Sequence, residues 1–198
     1  MTSGSRSNEL FYLNVSQPFN LENPPWVELP SAVIPFKSSY ATVSLIDLNN
    51  NPTIYLFGGY MEDPVSNDDS FVYTLNPQTL KWDTPKKTKG KMPTTRRGIQ
   101  AVNDNSGKVY IFGGRTEKIF FSDMIIFNTN ILTWSYGNTF NIPTARDGYT
   151  ATLLSNGVIV YIGGSDNVEK VINLNEINLY DTKSDSWKSM VHNKIFLF

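Results

Sequence analysis

Lys108-Val-Tyr-Ile-Phe-Gly-Gly-Arg115 is a short apolar run closed by two glycines. The chain holds two further versions of it, Thr53-Ile-Tyr-Leu-Phe-Gly-Gly-Tyr60 and Val158-Ile-Val-Tyr-Ile-Gly-Gly-Ser165. Such runs read as buried strands rather than helices: they are short, rich in β-branched and aromatic residues, and bounded by turn formers. The glycine pairs are spaced by 55 and 50 residues, and tryptophans at 26, 82, 134 and 187 are spaced by 56, 52 and 53. Each pair precedes the next tryptophan by 23, 20 and 23 residues, so the two series keep step. Two landmarks on one period mark a repeated structural unit.

Working outward, a turn former stands six residues before each pair, at Pro52, Gly107 and Gly157, which predicts a hairpin there. Upstream lie the strand-like stretches 40–46, 99–102 and 149–154, and downstream 70–75, 124–127 and 177–180. Leu75, Phe127 and Tyr180 each precede Asn76, Asn128 or Asp181, and the tryptophan then opens a last strand. Four strands in about 50 residues, with no helical period, are expected to form one blade of a β-propeller. The fold class is therefore all-β.

Ahead of the first strand of each unit stand Pro143-Thr-Ala-Arg146-Asp-Gly-Tyr149, Pro93-Thr-Thr-Arg96-Arg-Gly-Ile99 and a weaker copy, Pro35-Phe-Lys37-Ser-Ser-Tyr40, with lysine for arginine. Together with the paired glycines and the tryptophans, these stretches resemble the kelch repeat, and the resemblance covers residues 10 to 190. It implies blades at 38–84, 97–136 and 146–190, with a half blade at 10–28 that supplies a third and a fourth strand. Residues 1–9 are expected to be disordered. The tail 191–198 contains Asn193-Lys-Ile-Phe-Leu-Phe198, which reads like Gly107-Lys-Val-Tyr-Ile-Phe112 and suggests the start of a truncated next blade. Closed propellers have four to eight blades, so a partial ring is expected, with self-association through its open edges. The glycines are expected to make room for a tryptophan ring whose N–H finds a carbonyl.

Composition narrows the chemistry. The 198 residues include 17 basic and 18 acidic side chains, 40 % hydrophobic residues, no cysteine and one histidine, His192. That is enough apolar material for a core. The absence of cysteine excludes disulfides and thiolate sites, and one histidine cannot build a multi-histidine metal site. No metal and no cofactor is expected. A net charge of −1 offers no global field for nucleic acid, and the aromatics are committed to strands rather than interleaved with basic residues. No apolar run is long enough to span a bilayer as a helix, and no secretion signal is visible, so a cytoplasmic protein is expected. Asn14-Val-Ser16 is a glycosylation pattern that matters only on export.

Function is therefore sought in loops. In an antiparallel blade, the loop after the second strand and the connection after the fourth leave by the same face. That face is expected to collect Tyr60, Glu62, Arg115, Glu117 and Asp166 after the glycine pairs, together with Lys86, Lys87, Arg96, Arg97, Arg146 and Asp147. Six of the twelve residues from Lys86 to Arg97 are basic, and they suit an acidic peptide or a phosphate. In the bland alternative the loop is solvated, and Arg96 and Arg146 pin strand ends. The resemblance implies a non-catalytic scaffold that holds a protein partner. A fragment of a kelch-type enzyme, oxidase or hydrolase, is the alternative. The galactose oxidase copper site needs a cysteine-linked tyrosine and histidine ligands that this sequence lacks, and its carboxylates are scattered. No catalytic residue is assigned. A ubiquitin-ligation role is not expected, because no adaptor module accompanies the repeats.

Overall fold

The computed structural model describes residues 9–29, 36–48, 50–62, 70–166 and 170–191, and every regular element among them is a strand. β1 (Leu10–Leu13) pairs with β2 (Trp26–Leu29). Then come β3 (Lys37–Ser39), β4 (Thr42–Leu48), β5 (Asn51–Phe57), β6 (Tyr60–Glu62), β7 (Val72–Asn76) and β8 (Lys81–Asp83). The second unit holds β9 (Ala101–Asn103), β10 (Lys108–Phe112), β11 (Met124–Asn128) and β12 (Thr133–Tyr136). The third holds β13 (Thr150–Leu153), β14 (Val158–Ile162), β15 (Glu176–Asp181) and β16 (Ser186–Val191). Three antiparallel four-stranded meanders result, β4-β5-β7-β8, β9-β10-β11-β12 and β13-β14-β15-β16, while β3 and β6 form a small pair of their own. This is a segment of a β-propeller, with the first strands packed side by side, β4 on β9 and β9 on β13. The tail 193–198 and His192 lie outside the described residues.

The last turn of each sheet is written locally. The side-chain oxygens of Asn76, Asn128 and Asp181 accept backbone N–H groups two residues on, from Gln78, Asn130 and Lys183. The chain then leaves through a left-handed residue, Leu80, Leu132 or Asp185. The first turn departs from expectation in one copy. Pro52 is not a turn residue but lies inside β5 opposite Asp47, and the hairpin bends between Leu48 and Asn51 with Asn50 at φ 57°. That two-residue loop is tighter than those ending at Gly107 and Gly157, and Asn tolerates the left-handed region.

Blades pack through aromatic layers. Between the first and second, Tyr55, Phe57 and Phe71 meet Ile99, Phe127 and Trp134, with Phe127 and Trp134 4.1 Å apart. Between the second and third, Phe112 and Tyr110 meet Tyr149, Tyr161, Tyr180 and Trp187. Burying one such ring contributes about 2 kcal/mol. The same burial raises the Tyr161 phenol well above its usual pKa. The Nε1 groups of Trp82, Trp134 and Trp187 find no acceptor among the described residues, against the expectation of a carbonyl partner.

The glycine pairs also serve a different neighbour from the one expected. No tryptophan fills their space. Gly59 N–H donates to Arg96 O and Gly114 N–H to Arg146 O, both at 2.8 Å, so the first two pairs each grip the backbone of the next blade. A Cβ on Gly58 would stand 2.3 Å from Arg96 O, and one on Gly113 2.6 Å from Arg146 O. Room for a carbonyl, rather than for a ring, is what excludes a side chain here.

Candidate functional site

The face that collects the glycine ends is built from two positions per blade. The residue after the pair, Tyr60, Arg115 or Ser165, is bridged in antiparallel fashion to Ser39, Arg97 or Asp147 of its own blade. This register corrects the weakest repeat: Ser38, not Lys37, stands level with Arg96 and Arg146, and Tyr40 stands level with Gly98 and Gly148. All three of these last residues have positive φ, at 57°, 67° and 64°. Their backbones link the blades, since Gly98 N–H donates to Tyr40 O and Gly148 N–H to Gly98 O.

Arg96 and Arg146, both expected on the partner face, are buried, at 3 % and 0 % exposure. Arg96 donates to Thr94 O, to Gly113 O and to both carboxylate oxygens of Asp123, and it lies 3.6 Å over the Phe121 ring. Arg146 donates to Thr144 O and, at 2.8 Å, to Glu176. Hydrogen bonds from Asn178 and from Arg146 hold the Glu176 carboxyl below its usual pKa. These arginines pin strand ends, the bland alternative of the sequence reading. The acids were missed, although Asp123 and Glu176 each stand one residue before the third-strand run of their blade. In the first blade that place holds Phe71, and Ser38 holds the place of the arginine, so arginine and acid are exchanged together for a serine and an aromatic ring.

Five of the expected residues line one depression between the first and second blades, about 250 Å³ in volume: Tyr60, Arg96, Arg97, Arg115 and Glu117, joined by Met61 and Thr116. Arg97 and Arg115 exchange backbone hydrogen bonds of 2.9 and 3.0 Å, which sets two cationic side chains side by side. The Arg97 guanidinium sits 5.7 Å from the Tyr60 ring and has no carboxylate partner among the described residues. Arg115 Nε approaches Asp147 Oδ2 of the third blade at 2.7 Å, a contact of charge rather than an aligned hydrogen bond. Asp147 Oδ1 in turn accepts from Ser165, and Asp166 caps a loop to Lys170 beyond it. The β6 backbone carries Glu62 opposite Lys37, and Asp63, Asp68 and Asp69 lie outside the described residues.

The basic run does not form one patch. Lys89 is bridged in parallel to Thr133 at the start of β12, the end of that strand remote from the glycine face. Lys86 and Lys87 are exposed on the connector leading there, whereas Arg96 and Arg97 stand at the far end of the run. Among the described residues no three histidine, aspartate or glutamate side chains gather as a metal site would require, and no helix is long and apolar enough to cross a membrane.

The domain described as the KLHDC2/KLHL20/DRC7 Kelch-repeats domain matches residues 2–195. The chain belongs to the kelch-repeat family. Kelch domain-containing protein 3 of Rattus norvegicus is 28 % identical over 195 residues, covering 89 % of this chain and 49 % of that protein. Kelch domain-containing protein 10 of the same species is 26 % identical over 160 residues, 78 % of this chain and 38 % of that protein. The Rho GTPase-activating protein gacHH of Dictyostelium discoideum is 27 % identical over 164 residues, 80 % of this chain and 10 % of its own length. The kelch chain thus spans about half the length, or less, of these relatives. Its paired glycines, buried arginines and tryptophans form the kelch framework, and the sequence between the framework positions is left to supply any partner surface.

Proposed function

We propose that this kelch segment is a non-catalytic, cytoplasmic interaction module whose glycine-end face receives an acidic segment of a protein partner. The carrying observation is Arg97 beside Arg115 in the depression that Tyr60, Met61 and Glu117 complete. Arg97 offers a planar fork of donors with no carboxylate partner among the described residues, and a partner carboxylate supplies one. Lys86 and Lys87, on the connector that leads to the remote end of β12, contribute only a weak long-range attraction for the same partner. The buried arginines, Arg96 and Arg146, hold the floor of the face without touching the partner. Self-association belongs to the same proposal and rests on Val43 and Leu45, whose side chains are more than half exposed on β4.

A synthetic peptide of alternating glutamate and serine tests the acidic specificity. Binding should weaken about tenfold in Arg97→Glu and only slightly in a Lys86→Glu, Lys87→Glu double variant, since exposed long-range charge contributes little. Equal binding by wild type and Arg97→Glu would sink the assignment.

A further inference from the structure

The turns between the first two strands of the second and third blades share a backbone but differ in how they cap the strand that follows. They read Asp104-Asn-Ser-Gly107 and Leu154-Ser-Asn-Gly157. In each, the glycine N–H donates to the carbonyl three residues back, Gly107 to Asp104 at 3.3 Å and Gly157 to Leu154 at 3.0 Å. Both glycines have positive φ, 82° and 91°. In the second blade Asp104 Oδ1 accepts the Lys108 N–H that opens β10. Leu154 has no oxygen to offer, and in the third blade Asn156 Oδ1 accepts the Val158 N–H at 3.0 Å instead. The Asn156 side chain is thereby folded forward across the Gly157 peptide.

That cap sits at the only Asn-Gly step in the chain. Joining the Gly157 nitrogen to Asn156 Cγ closes a five-membered ring, and glycine leaves that nitrogen unobstructed and its backbone free to turn. Val158 N–H, already on Oδ1, polarises the side-chain carbonyl and steadies the negative charge that grows on its oxygen, as a donor in an oxyanion hole does. Against attack stands the hydrogen bond from Gly157 N–H to Leu154 O, which must open first. Leu154, Ser155 and Asn156 are all exposed, and exposed turns open locally at small cost.

We propose that Asn156 is a site of spontaneous deamidation that loosens the third blade as the protein ages. The Gly157 nitrogen loses its proton to solvent and bonds to Asn156 Cγ, while the Cγ–Nδ2 bond breaks and ammonia leaves. Water then opens the cyclic imide at either carbonyl and gives aspartate or isoaspartate; no oxidant or reductant takes part. Isoaspartate routes the main chain through Cβ and Cγ and so lengthens the turn by one atom. Gly157 O accepts from Thr182 N–H at 3.1 Å and from Thr182 Oγ1 at 2.7 Å, so the longer turn also pulls on the connection between β15 and β16. The site lies at the end of β14 remote from the glycine face and is independent of the Arg97–Arg115 depression.

The test ages the full folded chain at mildly alkaline pH in water enriched in heavy oxygen, then maps its peptides by chromatography and mass spectrometry. Asn156 should convert to a mixture rich in isoaspartate that carries one heavy oxygen, about tenfold faster than Asn105, whose follower Ser106 crowds the attacking nitrogen. The melting temperature should fall as isoaspartate accumulates. Asn156→Gln, whose longer side chain would have to close a six-membered ring, should stay intact and keep its melting temperature over the same period. Asn156→Asp separates charge from chain lengthening: it should melt close to fresh wild type, because a carboxylate still accepts the Val158 N–H. The proposal is overturned if Asn156 stays intact while a short Ser-Asn-Gly-Val peptide converts fully in the same buffer, or if Asn156 converts no faster than Asn105. An equal loss of melting temperature in aged wild type and aged Asn156→Gln would overturn it as well.

Discussion

At position 40 two rules of protein chemistry conflict. Tyr40 holds a left-handed backbone, φ 57°, where the other two repeats place glycine, and a side chain there costs about 1–2 kcal/mol. It keeps that conformation because its carbonyl accepts the N–H of Gly98 from the next blade. The ring is 73 % exposed, so removing it sacrifices little packing. Tyr40→Gly should therefore raise the melting temperature by about 2 °C, after the greater unfolded-state freedom of glycine is subtracted. A calorimetric melt that falls instead would mean that the ring makes contacts the exposed surface does not suggest. The neighbouring misreading has a related cause. Lysine at 37 looks like a conservative stand-in for arginine, but the register puts Ser38 there, and Phe71 stands where the other blades place the acid. The Arg–acid pairs were legible only in part: Arg96 and Arg146 stood out by their spacing from proline, while Asp123 and Glu176 look like ordinary loop residues until the strands bring them to the guanidinium.

At the scale of the element, the glycine pair is a joint between blades rather than the mere end of a strand. A Cβ at Gly113, φ +63°, would lie 2.6 Å from Arg146 O of the next blade, whereas a Cβ at Gly148, φ +64°, would meet nothing within 4 Å. Gly148→Ala should cost about 1 kcal/mol, the backbone penalty alone, while Gly113→Ala should cost about 3 kcal/mol or more, because overpacking is added to it. Denaturant melts of the two variants measure the gap, and equal losses would show that the joint yields freely. The strands themselves were readable from the sequence, because apolar runs closed by turn formers leave few alternatives. Pro52 was misplaced because a proline next to asparagines resembles a turn, and only the pairing with Asp47 reveals that it is inside the strand.

Across the whole molecule, three blades and a two-stranded pair leave one flank of the first full sheet in solvent. Ser44 and Ile46 point into the junction with the second blade, and the alternation of the strand forces Val43 and Leu45 outward, at 58 % and 57 % exposure. Light scattering on the isolated chain should therefore give a mass above the monomer that rises with concentration, and Leu45→Glu should bring it back toward the monomer. A constant monomeric mass for both proteins would show that this flank is tolerated in water.

The sequence by itself determined the architecture: three in-phase copies of an apolar run, a glycine pair and a tryptophan specify four-stranded units, because period, strand length and turn chemistry are local properties written along the chain. It also determined how little chemistry is available, since composition alone removes thiolate and multi-histidine sites. Only the tertiary structure decided which charges are free to meet a partner. Arg96 and Arg97 are adjacent in sequence and equally basic, yet alternation across a bridge sends one inward to Asp123 and the other outward over Tyr60. Burial and pairing depend on residues brought from other blades, and no spacing along one strand encodes them.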